Sequence, residues 1–598
     1  MNRNTQAHFA ELPTVNIGRS KFDRSFTHTT TFNTGELVPV YVDLDIVPGD
    51  TVSMKQSEIV RMMTPICPVM DNAFMDFYWF FVPNRLVWDN FKKFMGENDT
   101  APWTQTVDRQ VPQIVAGNNA KYNDKLTNTV VKGSVLDHMG IPTMNDWTYT
   151  STLTKIQRIS SLPTKAYSLI WNEFFRDENL QNPVNITKTD ANGTIINENS
   201  QAYISDPDAA QVSYAQYGGL PCLKVCKPHD YFTSALPGPQ KGPAVALPLS
   251  TTKLPVRYNQ IKGDSQETWD GKIAGFAAGP FQNQNSSGTN INSYNGNTDI
   301  RGEAAYTDET YTTHYNAPAG SLLDGGVVSL KEFGLMTDLS EATGATVTAL
   351  RQAFAIQKYY ERDARGGTRY IESVKSHFGV TNPDFRMQRP EYLGGFRQNI
   401  NMNQVVQSSP VIESEETTPL GTTGAYSVTT HQNSDVFTHS FTEHGILMGL
   451  CCIRTEHTYQ QGINRAWFKK NRLDFYSPEF ANLSEQAILN REIYAQGNTV
   501  DEQAFGYQEA WAEMRYMPNI VSGEIRSNYS KSLDIWTYAD YYETKPTLGD
   551  KWIKETSENV ARTLAIQDQD QFMGDFYFGA VYTRPMPLYS IPGLIDHH

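Results

Sequence analysis

The residues best suited to chemistry in this sequence are Cys222, Cys226 and His229, which could bind a metal ion. Thiolate and imidazole groups are the usual zinc ligands, but a structural zinc site normally needs a second pair at similar spacing. The sequence supplies no such pair, and the adjacent Cys451 and Cys452 would point to opposite faces of a sheet. The sparse set of five cysteines therefore indicates buried free thiols in a reducing compartment.

Enzyme signatures are also missing from the sequence. His229 precedes Asp230, which could be half of a catalytic dyad, but no nucleophile is indicated and a hydrogen-bonded turn is the simpler interpretation. No segment has the spacing of a phosphate-binding loop, and Gly366-Gly367 is better explained as a helix end. Because GxSxG and HExxH motifs are missing too, we expect no enzymatic activity, no cofactor and no metal.

Basic residues are interleaved with aromatic ones in one segment, which contains Trp467, Phe468, Lys469, Lys470 and Arg472. Such a pattern can stack nucleobases and neutralise phosphates. It can equally mark a strand edge where lysine and arginine stems cover apolar surface while their charges stay in water. The segment alone leaves both interpretations open.

The overall charge limits what these basic residues can do. The chain has 598 residues, of which 65 are acidic and 50 basic, and its net charge is −15. A protein dedicated to nucleic acid is normally basic, so this chain can contact a polyanion only through local patches. Its longest apolar run, 445–453, is far shorter than the ~20 residues that span a bilayer, and we expect no membrane insertion.

The elements that must position these residues are mostly strands. The 41 Gly and 31 Pro, with 10 Trp, 31 Tyr and 29 Phe, favour a large core of strands joined by long loops. Apolar patterns predict strands at 36–47, 51–63, 74–83, 396–406, 427–459 and 571–585. Helical spacing predicts helices at 166–175, 346–365 and 483–497. Five successive aromatics, Phe77 to Phe81, predict a strand that is buried on both faces.

Two segments do not fit a packed core. Residues 1–35 are polar, and we interpret them as an extended N-terminal arm. In 281–298, fifteen of eighteen residues are Asn, Gln, Ser, Gly or Thr, so this stretch can bury little apolar surface. We interpret 243–330 as one large polar surface insertion, which leaves 36–242 and 331–598 to form the core with its long interstrand loops.

Eight blocks occur along the chain in a specific order. They are RSKFDRSFTHTTTFNTGELVPVYVDLDIVPGDT (19–51), TPICPVMDN (64–72), FFVPNRLVWDNFKKFMGE (80–97), LPTKAYSLIWNEFFRDENLQ (162–181), KPHDYFTSALPGPQKG (227–242), LRQAFAIQKYYERDARGGTRYIE (350–372), FGYQEAWAEMRYMPNIVSGEIRS (505–527) and PLYSIPGLIDHH (587–598). In these blocks the chain resembles the major capsid proteins of the small single-stranded DNA bacteriophages of the Microviridae, most closely the gokushovirus branch.

The resemblance implies a mainly β fold, an eight-stranded antiparallel jelly roll of the viral capsid type with long loops, a few short helices and one large surface insertion. It implies a structural major capsid protein, of which sixty copies self-assemble through five-, three- and twofold contacts into a T=1 icosahedral shell around a circular single-stranded DNA genome. The segment 243–330 would form a threefold protrusion that contacts a host surface receptor. The expected location is the virion, assembled in the bacterial host cytoplasm.

The resemblance also implies partners inside the shell, namely single-stranded DNA, a small basic DNA-binding protein and a pilot or minor virion protein. Because many acidic subunits would repel a genome, we hypothesise that the cations of the N-terminal arm face inward and contact the DNA. These cations are Arg3, Arg19, Lys21 and Arg24.

The alternative from another functional class is a β-sandwich carbohydrate-binding or carbohydrate-active protein. Aromatic residues and Asn-rich loops also suit glycans. A glycosidase, however, requires paired carboxylates that flank a cleft, which the sequence alone neither shows nor excludes.

Overall fold

The computed structural model describes residues 18–96, 109–143 and 157–188 with short gaps, 222–242, and 388–589 except 410, 414–415 and 419. Between 243 and 387 it describes only Ser376 and the secondary-structure elements named below. Arg3 and the Gly366-Gly367 pair lie outside the described residues. The chain divides into two compact units, of which one comprises Met1–Lys241 and Glu361–His598 and the other Gly242–Tyr360.

Ten strands of the first unit form two sheets. In chain order they are β1 Ser20–Asp23, β2 Phe26–Phe32, β3 Val38–Ile46, β4 Thr51–Met62, β5 Ala73–Pro83, β6 Glu391–Asn399, β7 Met402–Val406, β8 Thr423–Ser440, β9 Gly445–Thr455 and β10 Phe572–Arg584. In the six-stranded sheet, β1 and β2 both pair with β10, and the order continues through β4 and β8 to β7. The four-stranded sheet has the order β6-β5-β9-β3. Every pairing within the two sheets is antiparallel.

The chain passes repeatedly from one sheet to the other. It does so between β2 and β3, β3 and β4, β4 and β5, β6 and β7, β8 and β9, and β9 and β10. The connection between β3 and β4 turns at Gly49, whose φ of +94° lies in the left-handed region that favours glycine. Two antiparallel sheets linked in this way are the arrangement of a jelly roll. The predicted mainly β, jelly-roll fold class is confirmed.

Aromatic side chains fill the space between the two sheets. Along β10 every second side chain from Phe572 to Phe578 is buried, as the alternating sequence predicts. From the opposite sheet, Trp79 lies 5.7 Å from Phe578 and 5.4 Å from Phe437, measured between ring centres. The indole of Trp79 also donates a 3.1 Å hydrogen bond to the buried Gln56. The core therefore joins both layers through packed rings and a satisfied polar contact.

The strand β5 is buried on both faces, which confirms the prediction from its run of aromatics. Its second face is covered by the helix Leu162–Ile170 and the π-helical turn Trp171–Phe175. Phe80 lies 4.7 Å from Phe174, and Tyr78 lies 5.0 Å from Phe175, between ring centres. The predicted helix at 166–175 is thus present, although it begins four residues earlier.

Three predictions of local structure are wrong. The segment 483–497, predicted as a helix, forms the strand Glu485–Leu489 and a single helical turn, Asn490–Ile493. The strand pairs with Ala504–Glu509, and this tertiary pairing overrides the local helical spacing. The segment 396–406, predicted as one strand, is divided between β6 and β7 because the chain changes sheets near Ile400. The segment 427–459 is divided in the same way among β8, β9 and the short strand Thr458–Tyr459.

The remaining elements are short. Further strands of the first unit are Gln113–Ala116, Asn118–Tyr122, Lys125–Asn128, Gln157–Ser160, Val411–Glu413, Glu416–Thr418, Thr458–Tyr459 and Asn519–Ile520. Further α-helices are Asn84–Val87, Phe91–Phe94, Val135–His138, Asp550–Ile553 and Glu558–Ala561. Among the described residues, no helix has both the length and the apolar character needed to cross a bilayer.

The second unit contains the segment 243–330 that we interpret as an insertion. Its strands are Val256–Tyr258, Glu267–Thr268, Phe281–Gln284, Asn290–Tyr294 and Leu335–Thr337. The helix Val347–Arg365 begins in this unit and has nearly the predicted bounds of 346–365. Its two longest strands pair as a hairpin in the Asn-rich stretch.

Candidate functional site

An exposed apolar groove lies between the 3₁₀ helix Arg465–Phe468 and the segment 516–520. Its cavity has a volume of about 460 Å³. Trp467, Met517 and Ile520 line it and are 83%, 86% and 75% exposed. Together they present on the order of several hundred Å² of apolar surface, the scale at which a patch marks an interaction site.

The groove is preformed because a second apolar core supports it. The buried residues Tyr231, Phe232 and Tyr459 line it and belong to this core. The strand that contains Tyr459, Thr458–Tyr459, pairs in parallel with Asn519–Ile520 in the other wall. The two walls are therefore tied together by backbone hydrogen bonds, and a ligand would meet a surface that needs little rearrangement.

The basic and aromatic residues beside the groove are stacked on one another. The guanidinium of Arg491 lies 3.8 Å from the ring centre of Phe468, and the amine of Lys469 lies 5.4 Å from that of Phe475. The chain's own cations thus cover a face of both phenylalanine rings, whereas Trp467 stays exposed. This favours the interpretation of cationic stems over apolar surface rather than a row of base-stacking platforms.

The predicted DNA-contacting cations do not all have the same environment. Arg19 and Lys21 are exposed at the start of the six-stranded sheet. Arg24 instead forms a 2.6 Å ion pair with the buried Asp43 and lies 4.8 Å from the ring centre of Tyr582. The arm to which they were assigned is paired with β10 from Ser20 to Phe32. Arg24 therefore has a structural partner that the sequence did not indicate.

The predicted metal-binding candidates have ordinary structural partners. The Cys222 thiol is buried and lies 3.6 Å from the carbonyl of Gly133. The Cys226 thiol donates to the carbonyl of Phe175 at 3.2 Å, and burial raises its pKa to about 12, so it stays protonated. Across the part of the chain that the structure describes, no group of three or more His, Cys, Asp or Glu residues could hold a metal ion.

The His229-Asp230 pair forms a turn, as predicted. The carboxylate of Asp230 accepts backbone hydrogen bonds from Phe232 at 2.8 Å and Thr233 at 2.7 Å. It also accepts a 2.5 Å bond from the hydroxyl of Tyr459. The carboxylate of Asp230 thereby holds Tyr459, which is one of the residues that line the apolar groove.

Comparison with known proteins shows which family this chain belongs to. The family described as "Capsid protein (F protein)" matches residues 10–594. The chain belongs to this family. It is 38% identical to the capsid protein VP1 of Bdellovibrio phage phiMH2K, over 99% of this chain and 98% of that one. The capsid proteins VP1 of Chlamydia phage 1 and Spiroplasma virus 4 are 35% and 36% identical, again over at least 97% of each chain.

Family membership confirms the resemblance read from the eight blocks. The chain is a structural capsid protein of the gokushovirus type and a component of the virion, not an enzyme. The carbohydrate-active alternative is thereby set aside. What sequence reasoning missed is the apolar groove, because the exposure of Trp467 and Met517 depends on how distant segments are brought together.

Proposed function

We propose that sixty copies of this chain assemble into a T=1 icosahedral shell that encloses a circular single-stranded DNA genome. The observation that carries this proposal is the preformed apolar groove lined by Trp467, Met517 and Ile520. A closed shell requires heterologous contacts in which one surface of a subunit meets a different surface of its neighbour. A groove of this kind suits such a contact, since it can receive a protruding apolar segment of a second copy.

The charge of the chain explains why assembly should depend on apolar contacts. At −15 per subunit, neighbouring copies repel one another over a distance of about one Debye length. Burial of apolar surface is the term that can overcome this repulsion, because it contributes roughly 25 cal/mol per Å² whatever the charge. Assembly is therefore expected to improve as salt screens the subunits from one another.

The net charge of −15 also affects how the shell can hold DNA. An acidic shell needs local cations or a basic partner at its inner face, and the exposed Arg19 and Lys21 are candidates for that role together with Arg3. A small basic DNA-binding protein would supply further positive charge, and a pilot or minor virion protein would complete the particle. The polar segment 243–330 would contact a host surface receptor.

Assembly of the purified protein tests this function. Light scattering after size-exclusion chromatography and negative-stain electron microscopy, over a series of salt concentrations, should show uniform icosahedral particles. The double variant Trp467→Ser/Met517→Ser should remain folded but lose most of its particles. The matched control Trp467→Phe/Met517→Leu keeps the groove apolar and should assemble normally. A wild-type protein that stays monomeric at every salt concentration would contradict the proposal.

A further inference from the structure

A second cavity lies on the far side of the four-stranded sheet from the aromatic core. Its volume is about 570 Å³, within the range of roughly 300–1,000 Å³ that small-molecule sites occupy. Strands β5 and β6 and the π-helical turn Trp171–Phe175 contribute its walls. Five aromatic residues line it: Tyr78, Phe80, Phe174, Phe175 and Tyr392.

The aromatic rings form a layered wall that a flat ligand could extend. Phe80 is at the centre, with its ring 4.7 Å from that of Phe174 and 5.5 Å from that of Tyr392. Phe80 is fully buried, whereas Tyr392 is 50% exposed. Tyr392 therefore offers ring surface at the mouth of the cavity to which a planar group can stack.

Cationic side chains surround these rings. The lining includes four cations and two carboxylates, namely Arg176, Lys227, Arg389, Arg454, Asp177 and Glu391. Two of the cations are already paired with buried carboxylates, Lys227 with Asp540 at 3.7 Å and Arg454 with Asp76. An anion in the cavity would therefore be held by individual guanidinium groups rather than by a net positive charge of the whole lining.

The structure holds two of these arginines in defined positions. The guanidinium of Arg389 lies 4.7 Å from the ring centre of Phe174. Arg454 is bound to the buried Asp76 and donates a 2.9 Å hydrogen bond to the hydroxyl of Tyr78. A guanidinium has five N–H donors, so these contacts orient Arg454 and leave N–H groups for an anion.

We propose that this cavity binds one nucleotide of single-stranded DNA. The base stacks against Tyr392, and the phosphate lies near the guanidinium of Arg389. Stackable rings combined with fixed cations are the features by which proteins hold single strands without reading their sequence. A base paired in a duplex is not free to enter the cavity, so the site selects single strands. This inference rests on the proposed enclosure of a single-stranded genome and adds a defined contact to it.

Binding of a labelled oligonucleotide to the unassembled protein tests the site. Fluorescence anisotropy with a fluorescein-labelled oligothymidylate should show binding that weakens about tenfold in Tyr392→Ala and in Arg389→Ala. Tyr392→Phe keeps the ring and should bind within about twofold of wild type. Tyr426→Ala is the matched control, because Tyr426 is also 50% exposed but lies on the six-stranded sheet.

An abasic oligonucleotide of the same length separates stacking from charge. The wild-type protein should bind it about tenfold more weakly than oligothymidylate, and Tyr392→Ala should bind both alike. Equal binding of both oligonucleotides by wild type, or wild-type affinity in Tyr392→Ala, would overturn the proposal.

Photocrosslinking on the wild-type protein removes any dependence on variant folding. An oligonucleotide that contains 5-iodouracil should crosslink to peptides that contain Tyr392 or Phe174. Crosslinks confined to other peptides would overturn the site. If the protein forms shells but binds no oligonucleotide, the nucleotide site is refuted and the proposed shell is not. If the protein binds at Tyr392 but never assembles, only the proposed shell is refuted.

Discussion

The hydroxyl groups of Tyr41 on β3 and Tyr582 on β10 lie 2.6 Å apart and form a hydrogen bond between the two sheets. Both side chains are buried. Burial, Tyr41 and the nearby carboxylate of Asp43 raise the pKa of Tyr582. Either hydroxyl could donate in this bond, and because a carboxylate is the stronger acceptor we expect the hydrogen of Tyr582 to be directed to Asp43 while its oxygen accepts from Tyr41.

Removal of the two hydroxyls should have unequal effects. Tyr582→Phe leaves the buried hydroxyl of Tyr41 without its acceptor and should lower the free energy of unfolding by about 1–3 kcal/mol. Tyr41→Phe leaves the hydrogen of Tyr582 directed to Asp43 and should lower the free energy of unfolding by less. Denaturant unfolding of the unassembled variants measures both values. Equal losses in the two variants would show that the bond is not directed in this way.

A buried histidine should make stability depend on alkaline pH. His457 lies between Asp540 at 2.8 Å and Glu555 at 3.0 Å. Burial disfavours its charged form, but the two carboxylates outweigh this and raise the pKa of His457 to about 10. Because this folded-state value exceeds the unfolded value of 6.5, the stabilisation is complete below pH 6.5 and is lost as pH rises through about 10.

Replacement of His457 tests this dependence. His457→Gln leaves the buried Glu555 without a cation and Asp540 with only Lys227, at 3.7 Å, and should lower the free energy of unfolding at pH 7 by about 3–5 kcal/mol. The difference from wild type should shrink between pH 7 and pH 10. His439→Gln is the control, since His439 is only partly buried and should cost little. A wild-type to variant difference that stays constant with pH would contradict the assignment.

A buried glutamate should oppose stability at neutral and alkaline pH. Burial between the sheets raises the pKa of Glu58 to about 7. Its folded-state pKa lies above the unfolded value of 4.5, so the folded state loses relative stability as pH rises from 4.5 through 7. Burial lowers the pKa of the neighbouring His431, which is neutral at pH 8 and offers no compensating charge.

The neutral variant Glu58→Gln should remove this loss of stability. At pH 8 it should be more stable than wild type by about 2 kcal/mol, and at pH 4.5 the two proteins should be alike. Urea unfolding at the two pH values makes the comparison. The interpretation fails if the variant gains nothing at pH 8.

Replacement of the N-terminal cations should have two different effects, one on DNA content and one on the stability of the fold. Arg3→Ala/Arg19→Ala/Lys21→Ala should reduce the DNA content of particles, measured by the ratio of absorbance at 260 and 280 nm, without lower thermal stability. Arg24→Ala should instead destabilise the fold by about 2 kcal/mol, because the buried Asp43 loses its ion pair. Unchanged DNA content in the triple variant would exclude an inward-facing role for these cations.

The fold was predictable from sequence where one strand's own residues determine its environment. The alternation in 571–585 and the aromatic run in 74–83 each define burial without reference to a partner, and both predictions are confirmed by β10 and β5. The segment 483–497 shows the limit. Its apolar spacing suits a helix, but pairing with Ala504–Glu509 stabilises a strand, and that partner cannot be identified from spacing.

The surfaces that carry function were less predictable. The resemblance identified the capsid class, but neither the apolar groove nor the aromatic cavity corresponds to a continuous motif. Tyr392 and Phe174 are more than two hundred residues apart and meet only because β6 lies beside β5 under the turn Trp171–Phe175. Arg24, grouped by sequence with Arg19 and Lys21, is distinguished from them only by its contact with Asp43.

Cryo-electron microscopy of particles assembled from the purified protein tests the central claim most directly. We expect a T=1 shell of sixty copies in which a second copy covers Trp467, Met517 and Ile520 and excludes water from the groove. A shell in which that groove faces solvent would refute its role in assembly. The absence of closed icosahedral particles would contradict the proposed function itself.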